Sequence, residues 1–304
     1  MPIQIPANLP AVQALTRENI FVMDEQRAIH QDIRPMRIAV INLMPSKAET
    51  EIQLLRLLSN SPLQVQVDLV YTASHTPKNT SAAYLAAFYK KFSDIEENKY
   101  DGMIITGAPV ENLPFEQVHY WQELCRIMSW STHHVYSTIY ICWAAMAGFY
   151  YHFGIDKYRL PEKLTGIFPH YSPNPAHPLM RGFDDVFYSP HSRYASVRLA
   201  DVTAKKGLHL LSASEEAGVH IAADAACRKI FITGHFEYDS TTLAGEYKRD
   251  LRKGAQAPLP SGYFPQNDPS LTPVVNWRAH ANLLFSNWLN TIVYQRTPYD
   301  LSLL

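Results

Sequence analysis

Cys142, His235 and Glu237 are the residues whose types and settings point most directly to chemistry. Cys142 closes the apolar, β-branched run Val135-Tyr-Ser-Thr-Ile-Tyr-Ile141 and opens Cys142-Trp-Ala-Ala-Met-Ala-Gly148, a stretch of helical composition, with no turn residue between. A residue at such a junction occupies a tight elbow with its side chain exposed. The free amides and positive field of the helix N-terminus then favour thiolate over thiol. The amide of Trp143 is an oxyanion-binding candidate in the same elbow. A thiol nucleophile also needs a proton carrier, and imidazole serves near neutral pH. His235 follows a second buried run, Lys229-Ile-Phe-Ile-Thr233. Glu237 projects to the same side as His235 if the backbone stays extended, so its carboxylate can take the other ring N–H and fix the tautomer. Alone, Cys142 reads equally well as a small core residue. With His-x-Glu at another strand end, a triad is the better reading. His-x-Glu is also half of a metal site, but no third and fourth ligand stand at helical or turn spacing nearby, and no metal is expected.

The surrounding pattern supplies the elements that must hold these groups. Arg37-Ile-Ala-Val-Ile-Asn-Leu43 reads as a strand covered on both faces, Glu49 to Leu58 as a helix with Ile52, Leu55 and Leu58 on one stripe, and Val65–Tyr71 as the next strand. Gly102–Thr106 is a further strand, and Phe115–Trp130 a helix. More strands are expected at Val186–Ser189, His209–Ala213, Gly218–Ala222 and Lys229–Thr233, and a last helix over Asn276–Val293. This alternation opens an α/β sheet. Lys47 follows the first strand and a Pro turn, near the same sheet edge as Cys142, and is a second oxyanion candidate beside the plainer reading of helix capping or solvation. Residues 1–304 form one domain, with 1–35 an N-terminal arm draped over the core and the Pro-rich span 257–273 a long loop.

Composition narrows the function. The 304 residues are 47% hydrophobic and 18% charged, which excludes wholesale disorder. A net charge of -1 provides no broad basic field for nucleic acid or anionic membrane. The three cysteines, none in a Cys-x-x-Cys, exclude a four-thiolate zinc site and argue against a disulfide scaffold. The opening MPIQIPANLPAVQAL lacks an export signal, so a reduced cytoplasmic setting is the default. Ile127–Ile155 holds no Asp, Glu, Lys or Arg over 29 residues, but its Ser, Thr and His load suits a loop, a buried strand and a buried helix rather than a membrane span.

Several separate motifs then converge. Asn42-Leu-Met-Pro-Ser-Lys47 with Glu49-Thr-Glu51, Thr106-Gly-Ala-Pro109, Ile141-Cys-Trp143, Pro190-His-Ser-Arg-Tyr194 and Gly234-His-Phe-Glu237 resemble the homoserine O-acyltransferases of methionine biosynthesis. That family lies within the class I glutamine-amidotransferase-like fold, and the similarity spans nearly the whole chain. The resemblance implies a flavodoxin-like, mostly parallel sheet with helices on both faces. It implies a ping-pong reaction in which Cys142 takes an acyl group from acyl-CoA and the thioester is attacked by L-homoserine. His235 would be the base, Glu237 its partner, and Lys163, Ser192 and Arg249 substrate-binding residues. Physically, the planar fork of Arg249 suits the substrate carboxylate. Arg249 also fits a solvated helix face. No cofactor is expected, acetyl-CoA being a co-substrate, and the family suggests a homodimer.

Within the family, glycine after the Thr-Gly-Ala-Pro-Val turn goes with succinyl-CoA and glutamate with acetyl-CoA. Here that residue is Glu111. A carboxylate beside the acyl pocket repels a second carboxylate, so acetyl is the expected donor, unless Glu111 simply faces water or starts the following helix. Serine remains open as acceptor, because one methylene is worth only about 1–3 kcal/mol of discrimination. A hydrolase or glutaminase on the same fold, and a non-catalytic binding protein, are the rival readings.

Overall fold

Ile38 and Val40 of one strand face one apolar cluster, while Ala39 and Ile41 of the same strand face another. Successive strand side chains point to opposite sides, so a run apolar at every position must be covered on both. The computed structural model describes residues 3–6, 8–18, 22–23, 34–74, 79–254 and 257–304. In chain order the strands are β1 (Ile3–Gln4), β2 (Val22–Met23), β3 (Met36–Ile41), β4 (Val65–Tyr71), β5 (Tyr89–Lys91) and β6 (Tyr100–Ile105). They continue as β7 (Val135–Ile141), β8 (Tyr158–His170), β9 (Phe187–Ser196), β10 (Leu208–Ser214), β11 (Gly218–Asp224) and β12 (Lys229–Ile232). The helices are α1 (Ala11–Arg17), α2 (Lys47–Ser59), α3 (Ala82–Phe88), α4 (Trp121–His134), α5 (Trp143–Phe153), α6 (Leu199–Ala204), α7 (Thr242–Arg252) and α8 (Arg278–Asn287). The last runs on as a π-helical stretch, Trp288–Tyr294.

Among the described residues the main sheet runs β10-β11-β12-β7-β6-β3-β4-β1-β2, with β5 also paired to β4. Pairing is parallel from β12 through β2 and antiparallel only where β10, β11 and β12 meet. Leu54 and Leu58 of α2, with Leu284 and Trp288, cover one face; Leu124 and Ile127 of α4, with Met146 and Phe149 of α5, cover the other. Each fully buried aliphatic side chain of this kind contributes about 2 kcal/mol relative to exposure. The fold is therefore α/β with a mostly parallel sheet between helices. The parallel arrangement sends the carboxyl ends of β3, β6, β7 and β12 to one edge, where ligands bind in open α/β sheets.

Several expectations change in detail. Residues 1–35 are not simply draped over the core: Ile3–Gln4 pairs with β4 and with Val22–Met23, extending the sheet. Much of the remaining arm lies outside the described residues. The helix expected from Phe115 is a short 3-10 turn at Phe115–Gln117 followed by α4, which reaches His134 and passes straight into β7 without the expected loop. Among the described residues no helix is long and apolar enough to cross a membrane.

A second, two-stranded antiparallel sheet pairs β8 with β9, setting Thr165 opposite Ser192 and Gly166 opposite His191. β8 escapes a sequence reading because Pro161 and Pro169 interrupt it and its first half is largely exposed. The Pro-rich span 257–273 is a long loop, pinned along this ribbon: Ile167 N–H donates to Ser261 O at 2.7 Å, and Ser261 N–H to Thr165 O at 2.9 Å. A Cβ on Gly166 (φ +141°) would meet the Ser261 carbonyl oxygen at 2.3 Å and its nitrogen at 2.4 Å. Gly166→Ala therefore overlaps backbone that cannot step aside and adds φ strain. The expected loss is about 3 kcal/mol or more, read as a lower urea midpoint with an unchanged slope. A midpoint equal to that of the unsubstituted protein would show that the bridge yields freely.

Candidate active site

β7 and β12 are parallel neighbours with Ile141 opposite Ile232, so the residues leaving both strands emerge side by side. Cys142 leaves β7 and caps α5 in one step, with φ 52° and ψ -113°, a conformation seldom adopted by a residue with a side chain. Its N–H donates to Ile232 O at 2.7 Å, and its carbonyl accepts from Met146 N–H at 3.2 Å. The strained elbow is thus held by both the sheet and the helix. Cys142 is only 3% exposed, so the exposed side chain expected at the elbow is instead buried at the floor of a cleft. The lining of that cleft, a cavity of about 100 Å³, includes Cys142, His235, Glu111, Lys163, Ser192 and Arg249. Gly107 makes the approach possible: a Cβ there would lie 3.2 Å from Cys142 Cβ and 3.6 Å from His235 Cε1.

His235 is fixed from three sides. Its N–H donates to Pro190 O at 2.8 Å, its ring stacks on Tyr238 at 4.0 Å between centroids, and its Nδ1 lies 2.6 Å from Glu237 Oε1. The stretch after β12 turns rather than staying extended, with Tyr238 N–H reaching back to His235 O at 3.4 Å. The His-x-Glu contact therefore comes from a turn, not from extended spacing. Burial pushes the imidazole pKa down, but the neighbouring Cys142 sulfur and the Glu237 carboxylate outweigh it and hold the pKa well above 6.5. With Nδ1–H directed at Glu237, the other ring nitrogen is left to the sulfur.

The remaining cleft wall is ionic. Lys163 Nζ donates to Asp250 Oδ2 at 2.8 Å and lies 3.6 Å from Glu246 Oε2. Glu246 also accepts from the Ser192 hydroxyl and, at 3.1 Å, from Tyr238 OH. Arg249 bonds Asp250 Oδ1 through Nε at 2.9 Å and is about half exposed, so part of its fork is already engaged. It is neither a free clamp nor a wholly solvated helix residue. Glu111 is half-buried in the same cleft. Burial raises its carboxyl pKa against the lowering effects of its own backbone hydrogen bond, His235 and Lys163.

Lys47 is placed differently. Its buried Nζ donates to Asn42 O at 2.6 Å and lies over the Tyr89 ring, in the wall of a neighbouring cavity rather than in the Cys142 cleft. Burial lowers its pKa to about 8 against the opposing pull of Glu51. Trp143 is fully buried, its indole N–H finds no acceptor among the described residues, and its backbone opens α5 next to the sulfur.

Glu246, Tyr238 and Asp250 were not singled out from the sequence. The available signal was the helical spacing of Glu246, Arg249 and Asp250, together with a tyrosine directly after His-x-Glu. A buried cluster of His170, His191 and His220 also escaped notice, its ligand atoms all within 4.8 Å of one another. His170 Nδ1 lies 2.8 Å from Phe168 O, His191 Nε2 3.0 Å from His170 Nε2, and Arg193 Nε donates to His191 Nδ1 at 3.4 Å. That chain runs one way, with the His191 Nε2 proton pointing at His170. His191 and His170 thus engage each other, whereas neither ring nitrogen of His220 finds a partner among the described residues.

Cys142 on a strand–helix elbow and His235 just past the next parallel strand thus lie together at one edge of this α/β sheet. Solved structures sharing the fold include a glutamine amidotransferase from Thermotoga maritima, 12% identical with a TM-score of 0.56 and covering 86% of this chain and 99% of that one. A family model described as homoserine O-succinyltransferase matches residues 2–299. The chain is 57% identical over 302 residues to a homoserine O-acetyltransferase of Acetivibrio thermocellus, spanning 99% of each chain. It is 56% identical over 301 residues to one of Thermotoga neapolitana, again over 99% of each. The molecule thus has the class I glutamine amidotransferase fold. Within that class, the chain belongs to the homoserine O-succinyltransferase family.

Proposed function

We propose that this protein transfers an acetyl group from acetyl-CoA to the γ-hydroxyl of L-homoserine, giving O-acetyl-L-homoserine for methionine biosynthesis. The observation that carries this reading is the cleft itself: Cys142 and His235 line it beside the ionic wall of Lys163, Glu246 and Arg249, with Glu237 bonded to the far side of the His235 ring. The Cys142 thiolate attacks the thioester carbonyl, and the Trp143 amide, at the helix start beside the sulfur, serves as oxyanion donor. The carbon–sulfur bond to CoA breaks, CoA leaves as its thiol with the proton carried by His235, and an acetyl thioester remains on Cys142. His235 then takes the proton from the homoserine hydroxyl, whose oxygen attacks that thioester. Collapse returns Cys142 sulfur and releases the ester. Arg249 suits the acceptor carboxylate, the Glu246 and Asp250 carboxylates suit its ammonium, and Ser192 and Lys163 hold those carboxylates in place. No resident cofactor enters these steps.

Incubation with acetyl-CoA alone should release one CoA per active site and add one acetyl group to the protein mass. Homoserine should then discharge it. Continuous CoA release without acceptor would point to a hydrolase. The donor rests on Glu111, a half-buried carboxylate lining the same cleft as Cys142, where a succinyl carboxylate would be repelled. Glu111→Gly is therefore expected to shift the ratio of kcat/KM values toward succinyl-CoA by about tenfold or more. An unchanged ratio in a two-donor competition assay would remove Glu111 from the specificity argument.

A further inference from the structure

We propose that the cavity beside the Cys142 cleft is the channel that receives the pantetheine arm of the acyl-CoA donor, so that donor and acceptor reach the sulfur from different sides. This rests on the acetyl-transfer reading above. The cavity, of about 260 Å³, shares Met44, Pro45 and Pro109 with the catalytic cleft and so adjoins it. The two differ sharply in chemistry. The cleft presents Lys163, Arg249, Glu246 and Glu111, groups suited to a zwitterionic amino acid. The neighbouring cavity is walled by Leu43, Val110, Leu113 and Val118, with Thr72, Asn79, Tyr120 and His119 as polar groups beside Lys47 and no carboxylate.

The buried cation in that wall, Lys47, is already bonded to Asn42 O at 2.6 Å and lies over the Tyr89 ring at 5.3 Å. An amino-acid zwitterion placed there would find no Asp or Glu carboxylate among the lining residues for its ammonium, which is costly. A slender, uncharged chain carrying two amides loses little, gains apolar contact, and finds hydrogen-bonding groups in Thr72 and Asn79. The pantetheine arm is such a chain, and its sulfur end must reach Cys142. The cavity wall is built from the segments after β3, β4 and β6, whereas Lys163, Glu246 and Arg249 of the cleft come from β8 and α7. The two cavities meet along the segments after β3 and β6, and β8 and α7 add the ionic partners on the cleft side alone.

The test uses Val110→Trp, which fills the half-buried wall, and Leu113→Asp, which puts a carboxylate on a rim residue that is 40% exposed and so costs the fold little. Acetylation of Cys142 is followed by protein mass with two donors: acetyl-CoA, and p-nitrophenyl acetate, which has no pantetheine. For both variants the rate ratio of acetyl-CoA to p-nitrophenyl acetate is expected to fall at least tenfold, with the KM for homoserine unchanged within about twofold. A ratio like that of the unsubstituted protein, or a rise in the homoserine KM instead, overturns the channel while leaving acetyl transfer intact. An unsubstituted protein that takes an acetyl group from p-nitrophenyl acetate but not from acetyl-CoA overturns the acetyl-CoA reading, and this inference with it.

Discussion

Cys142→Ala is expected to abolish acyl-enzyme formation and to lower kcat/KM by roughly 10⁶-fold, the scale on which loss of a nucleophile is felt in triad enzymes. Mass spectrometry after exposure to acetyl-CoA should show no adduct. Substantial residual transfer would mean that the acetyl group passes directly from donor to acceptor. The same position allows the elbow's strain to be measured apart from its chemistry. At φ 52° a Cβ is unfavourable, whereas glycine adopts positive φ readily. Cys142→Gly should therefore be about 1 kcal/mol more stable than Cys142→Ala by denaturant titration, although both are inactive. The reverse order would show that the elbow carries no strain.

Glu237→Gln is the second large effect, a loss of about 10²–10⁴-fold in kcat/KM. Glu237 Oε1 lies 2.6 Å from His235 Nδ1, and its negative charge helps hold the imidazole pKa well above 6.5 despite burial. Formation of the thioester removes the other negative neighbour, the thiolate. The pKa then falls, and a ring that was an acid toward departing CoA becomes a base for the homoserine hydroxyl. Glutamine supplies no negative charge, so His235 loses its proton at lower pH in the free enzyme, and the alkaline limb of the acylation profile should move to lower pH. Its amide N–H can also donate to Nδ1, leaving the ring proton on the nitrogen that must act as base, so discharge to homoserine should slow most. Single-turnover acylation and discharge across pH separate the two effects. An unmoved alkaline limb with intact discharge would show that Glu237 neither charges nor orients the ring.

Much of this was legible in the chain because buried parallel strands announce themselves as continuous β-branched runs. β4 and β7 begin and end where the pattern placed them, and Cys142 and His235 fall at strand ends as expected. What the pattern could not show is partnership across sequence distance. Glu246, bonded to both Ser192 and Tyr238, looks from its neighbours like any surface helix carboxylate. β8 was hidden by its prolines, and the ribbon that presents Lys163 and Ser192 was hidden with it. The buried state of the Cys142 sulfur was equally invisible, because the cleft floor is set by Gly107 on another strand end. Local composition reveals which elements form; the depth of a side chain depends on what is laid over it.

The Ser261 bridge to β8 ties reactivity to selectivity. The His235 N–H donates to Pro190 O of β9, and β9 pairs with β8, the strand that Ser261 clasps. The ribbon that presents Lys163 and Ser192 therefore also braces the imidazole. Proton carrier and acceptor wall share one scaffold, so neither can shift without moving the other.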